Sequence, residues 1–69
     1  MRSWMKETRE SKGMTMKEVG EKLGISESYY SMIERGERQQ KLDITLVSKL
    51  SAIFEVSLQY IVEQEGQHA

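Results

Sequence analysis

The chain is rich in hydroxyls and carboxylates but poor in groups that activate them. A serine nucleophile needs a neighbouring base, and the one histidine, His68, stands next to the last residue. There is no cysteine, so neither a thiolate metal site nor a disulfide framework is available, and a lone histidine does not assemble a zinc site. The acid pairs Glu18/Glu21 and Glu34/Glu37 have the spacing of a solvated helix face or loop, and no glycine-rich phosphate loop of standard spacing occurs. The residues point to no enzyme, no cofactor, no metal and no evident small-molecule ligand. What remains is recognition chemistry. Glu27, Ser28, Ser31 and Met32 fall on the outward side of one short helical stretch whose inward residues are Tyr30 and Ile33. Serine hydroxyls can bond several base edges, a carboxylate can accept from cytosine N4, and a methionine can pack on a thymine methyl. This small, nearly uncharged surface suits a DNA major groove about 12 Å wide. The plainer readings are that Glu27 answers a helix N-terminal dipole, and that Met32 fills a core or a dimer contact.

Elements of the right kind surround this stretch. Gly13, Gly24, Gly36 and Gly66 each follow a segment of helical pattern. Thr15, Ser26, Asp43 and Ser57 each stand where a side-chain oxygen can cap the next segment, and Thr15 with Glu18 fits a capping box. Apolar spacing predicts five helices, at 3–12, 16–23, 27–35, 44–54 and 58–64, and no stretch alternates as a strand does. The inward faces expected are Trp4, Met5 and Thr8; Val19 and Leu23; Tyr30 and Ile33; Ile44, Val47, Ser51 and Phe54; and Leu58, Ile61 and Val62. Residues 1–66 read as one domain and 67–69 as a disordered tail. The second and third helices are separated only by Gly24-Ile25-Ser26, the sequence form of a helix-turn-helix.

The run from Thr15 to Gly36 resembles the phage-repressor and Cro-type helix-turn-helix family, also called the xenobiotic-response-element family. Val19-Gly20, Gly24-Ile25-Ser26 and Ile33-Glu34-Arg35-Gly36 carry the likeness. Met5-Lys6-Glu7-Thr8-Arg9-Glu10 looks like the family's first helix, and Leu50 to Leu58 like its fourth running into its fifth, so the resemblance covers roughly residues 4 to 63. It implies an all-α, compact five-helix bundle of the lambda-repressor-like DNA-binding type, with helices two and three as the helix-turn-helix. It implies double-stranded DNA as the partner, with base contacts from the first turns of the third helix. The phosphate candidates are Thr15, Lys17, Tyr29, Arg35, Arg38 and Lys41. Lys17 lies in a first helical turn with free amides, and Arg38 and Lys41 lie in the loop that runs beside the backbone in this family. For any one of these cations a solvated polar face is the plainer role. In the family, the positions of Arg9 and Glu34 form a structural ion pair. Four features depart from the pattern: Met16 replaces a phosphate-holding Gln, Gly20 an Ala, Tyr30 a smaller aliphatic residue, and the loop 37–42 is longer and lacks proline.

Size and charge set further bounds. A chain of 69 residues buries only about 60% of its unfolded surface, so binding is favoured over a deep catalytic pocket. Residues 1–50 hold ten basic residues against eight acids, a net of +2, whereas residues 51–69 hold three acids and no base, a net of −3. The apolar runs are too short to span a membrane, and no apolar leader stretch opens the sequence, which gives a cytoplasmic expectation. Leu46, Leu50 and Ile53, extended by Tyr60, form a second apolar stripe that a homodimer would cover; a thicker monomer core is the alternative. The function expected is sequence-specific DNA binding as a transcriptional regulator, a homodimeric repressor on a palindromic operator. A protein-interaction module on the same fold, such as an antirepressor, is the second reading. The acidic pI near 5.8, Met16 and Glu27 lean towards it.

Overall fold

The computed structural model describes residues 1–39 and 41–68. It contains α1 (Ser3–Ser11), α2 (Met16–Leu23), α3 (Glu27–Arg35), α4 (Ile44–Phe54) and α5 (Leu58–His68), with no strand among the described residues. No single one of these helices is long and apolar enough to cross a membrane.

Side-chain caps start four of the helices. The Thr15 hydroxyl accepts from the Glu18 amide at 3.1 Å, and the Glu18 carboxylate accepts from the Thr15 amide at 2.8 Å. These bonds hold the Glu18 carboxyl below its ordinary pKa, so this capping is complete at neutral pH and fails in acid. Ser26, Asp43 and Ser57 accept from the amides of Tyr29, Leu46 and Tyr60 at 3.0, 2.7 and 3.0 Å. The turn between α2 and α3 depends on two glycines. Gly24 takes a left-handed φ of 79° and closes α2. At Gly20, a Cβ would stand only 3.2 and 3.3 Å from the Ile25 and Ser26 carbonyl oxygens. The turn backbone therefore lies closer to α2 than an alanine readily permits.

The core gathers Trp4, Met5, Val19, Leu23, Tyr30, Ile33, Leu50, Phe54 and Ile61, all buried. Trp4 meets Phe54 and Tyr60 edge-on, with ring centroids 6.5 and 6.2 Å apart. Three expectations need correction. Ile44, expected inside, is 74% exposed, and α4 instead turns Leu50 and Phe54 inward. Leu58 and Val62, also expected inside, are 48% and 59% exposed, leaving Ile61 as the buried residue of their stripe. Gly66, expected to follow the end of the fifth helix, lies within α5, which runs from Leu58 to His68. Ala69 lies outside the described residues, as does Gln40 in the loop before α4.

Arg2 is wholly buried. Its Nε donates to both Glu65 carboxylate oxygens, at 3.0 and 2.9 Å. One terminal nitrogen donates to the Ile33 carbonyl at 2.7 Å and to the Arg38 carbonyl at 3.3 Å, and the other donates to the Gln39 carbonyl. The Arg2 amide donates to the Glu34 carbonyl at 2.8 Å. Glu65 also accepts from the Trp4 indole at 2.8 Å. This cluster joins the start of α1 to the end of α3, the loop behind it and α5. The Tyr30 hydroxyl is different: it is buried near the Glu34 carboxylate but makes no hydrogen bond of good geometry. Burial, and then the Glu34 carboxylate, push its phenol far above the ordinary range.

Two stability outcomes follow. Arg2→Met should cost about 3–5 kcal/mol, because it strips the partner from a largely buried carboxylate and from several carbonyls. In a thermal melt the Tm should fall by more than about 12 °C; an unchanged Tm refutes the role. Tyr30→Phe should stabilise by about 1 kcal/mol, since it removes an unpaired buried hydroxyl. Calorimetry should show Tm rising by roughly 4–8 °C, and a fall would reveal a partner for the hydroxyl.

Candidate nucleic-acid interface

A recognition surface needs a helix fixed at both ends and exposed along one side, and α3 meets that description. Its N-terminus is capped by Ser26, and Tyr30 and Ile33 anchor its inner side in the core. Its last turn is held by two arginines, Arg9 of α1 and Arg2 just before it. Arg9 Nε donates to Glu34 Oε2 at 3.0 Å, and an Arg9 terminal nitrogen to Oε1 at 3.3 Å. Another Arg9 nitrogen donates to the Met14 carbonyl at 2.9 Å. The hydrogen bond to Glu34 keeps the Arg9 charge locked in place. Arg2 then binds the Ile33 carbonyl, at the end of α3 where the helix dipole favours a cation.

The opposite side of α3 borders a concavity of about 310 Å³. Glu27, Ser28, Ser31 and Met32 all line it, so the four base-contact candidates lie around one depression. Arg35 lines it from the last turn, and Met16 from the first turn of α2. Glu27 and Ser28 are exposed, whereas Ser31, Met32 and Met16 are half-buried. Hydroxyl donors, a carboxylate acceptor and two thioether side chains thus share one opening. Met16 had no place among the base-contact candidates. Its helical position, the first residue after a cap, gave no hint that α2 leans towards the same opening.

The phosphate candidates are more scattered. Lys17, Arg38 and Lys41 are exposed. Thr15 is exposed, but its hydroxyl is engaged in the α2 cap. Arg35 is ion-paired at 3.2 Å with Glu37, both about half exposed, a pair weakly held in water. The Tyr29 hydroxyl accepts from the Gln39 side-chain amide at 3.1 Å, which leaves its own proton free to donate. Gln39 itself takes a positive φ of 53°, uncommon for its type, while its carbonyl receives Arg2.

The four dimer candidates do not form one free surface. Leu50 is wholly buried in the core and is withdrawn from that role: it faces inward because α4, packed on α2 and α5, turns its Leu50/Phe54 side to the core cluster. Leu46 and Ile53 are half-buried and pack against the core. Tyr60 is partly exposed and lies edge-on to Trp4. Beside Tyr60, α5 also exposes the apolar side chains of Leu58 and Val62, one helical turn apart. Among the described residues, no three His, Cys, Asp or Glu side chains group as metal ligands do. The sequence reading also missed the Arg2–Glu65 cluster. Its members are 63 positions apart, and neither residue type carries a periodic signal.

The sequence is similar to those of known proteins. The helix-turn-helix family profile matches residues 5–61. The HTH-type transcriptional regulator SinR of Bacillus subtilis (strain 168) is 34% identical over 63 residues, covering 91% of this chain and 56% of that protein. SinR of Bacillus licheniformis is 33% identical over the same length and coverage. An uncharacterized HTH-type transcriptional regulator of Bacillus subtilis (strain 168), YqaF, is 40% identical over 45 residues, which is 65% of this chain and 59% of YqaF. The chain therefore spans a little over half the length of these relatives. No solved structure gives a significant match. With its capped α2, glycine turn and doubly anchored α3, the chain belongs to the helix-turn-helix family of the xenobiotic-response-element type.

Proposed function

We propose that the protein is a sequence-specific DNA-binding transcriptional regulator that acts as a homodimeric repressor on a roughly palindromic operator. The observation that carries this reading is the concavity along α3, where Glu27, Ser28, Ser31 and Met32 come together. Each can meet a base edge in the major groove. Two such helices in a dimer would enter successive major grooves, about 34–36 Å apart. Lys17, exposed in the first turn of α2, and Arg38 and Lys41, exposed just past α3 in sequence, would meet phosphates and set the register. The exposed pair Leu58 and Val62 supports an α5 contact between copies better than the α4 stripe does, because Leu50 is in the core. Occlusion of a promoter is the simplest output of such a complex.

The test is selection from a random duplex library with purified protein, at low and at moderate salt. A two-fold-symmetric motif with half-sites one turn apart is expected. No enrichment at either salt would overturn the DNA reading and favour a protein partner for the same exposed face of α3.

Two substitutions divide the contacts. Ser28→Ala or Ser31→Ala should relax preference at one operator position by about 1–3 kcal/mol. Competition among single-base operator variants reads this, and unchanged relative affinities would remove serine from base reading. Arg38→Ala should weaken all sequences alike and lower the slope of log affinity against log salt by about one. A shifted sequence preference at the same slope contradicts a phosphate role.

A further inference from the structure

We infer that Met16 and Met32 together form a slot for the C5-methyl group of a pyrimidine in the DNA major groove, with Met16 a specificity-determining residue supplied by α2 rather than α3. The inference rests on the DNA-binding reading and deepens it.

The two methionines come from different helices, yet both line the concavity in front of α3. Met32 is half-buried but, among the described residues, stands outside the group of hydrophobic side chains packed on the core. Met32 thus lines the concavity without counting among the side chains packed on the core. Met16 packs against the core on one side and borders the concavity on the other. Its position on the first turn of α2 is fixed by the Thr15–Glu18 capping box. A charged or strongly polar ligand finds no reason for two thioethers here. Methionine is unbranched and polarizable and adapts to a small apolar group. In the major groove, the apolar group offered by an unmodified base is the thymine methyl. A 5-methylcytosine presents the same methyl beside an N4 amine, and the exposed Glu27 carboxylate on the same rim could accept from that amine. The shared chemistry is a C5-methyl group.

Burying one methyl is worth about 0.8 kcal/mol, which is about fourfold in affinity per slot. The probe is the duplex recovered by selection from a random library. Thymine is replaced by uracil at each position in turn, and separately each cytosine by 5-methylcytosine. Binding of wild type should fall about fourfold for uracil at one position of each half-site. For Met32→Ala, shown by a thermal melt to fold, thymine and uracil duplexes should bind alike. Met16→Gln should erase the same preference, with a thermal melt confirming that it folds. An effect confined to the cytosine series keeps the slot and makes methylcytosine its occupant. Equal binding across both series, by a protein that does bind the selected duplex, overturns the slot while leaving DNA binding intact. Absence of any selected duplex removes both readings together.

Discussion

The arrangement depends on a guanidinium withdrawn from water. Taking a charge out of water costs several kcal/mol, so a buried arginine is tolerated only where its donors are met. Arg2 meets a carboxylate of α5 and the carbonyls of Ile33, Arg38 and Gln39. Those carbonyls lie at the end of α3 and just beyond it, where unpaired acceptors and the helix dipole favour a cation. The residue therefore adds a charged donor at a helix terminus where the Ile33 carbonyl also accepts from the Gly36 amide, and in doing so it ties α5 to α3. Glu65 completes the junction by also taking the Trp4 indole proton. Arg9 and Glu34 repeat the device further along α1. In a domain with so small a core, the angle of α3 is set by these polar clasps as well as by apolar packing. Breaking either clasp by removing one partner leaves a buried charge alone, which is strongly destabilising.

The order and starts of the helices were legible because caps are local. Thr15, Ser26, Asp43 and Ser57 each bond an amide three residues ahead, so the signal lies within a few positions of its effect. Faces were less legible. Helix α4 carries apolar residues at 44, 46, 47, 50, 53 and 54, nearly all round, so two stripes fit its period equally well. The structure chooses the turn that buries Leu50 with Phe54 and leaves Ile44 at the first turn in solvent. The end of α5 was hidden because a glycine there read as a stop, whereas the Arg2–Glu65 bond holds the helix in place up to that point. Such a bond spans almost the whole chain and leaves no trace in local spacing. Within the recognition surface, the residues of α3 were legible from one helix's periodicity. Met16 was not, because its place depends on how two helices approach.

That approach is closer than usual. The carbonyls of Ile25 and Ser26 stand where a side chain at position 20 would press on them. Glycine in a helix interior costs about 1 kcal/mol of helix propensity, so the close approach is obtained against local preference. Ser26 is also the cap of α3, and its backbone is the point at which α2 touches the start of the recognition helix. Met16, one turn before Gly20 on α2, lines the same concavity as Glu27 and Ser28, which directly follow Ser26. An alanine at position 20 would favour α2 as a helix but would need the turn to move outward by a few tenths of an ångström. The first turn of α3 would move with it. The stability of one short helix and the shape of the concavity are therefore opposed at this position, and the sequence takes the side of the concavity.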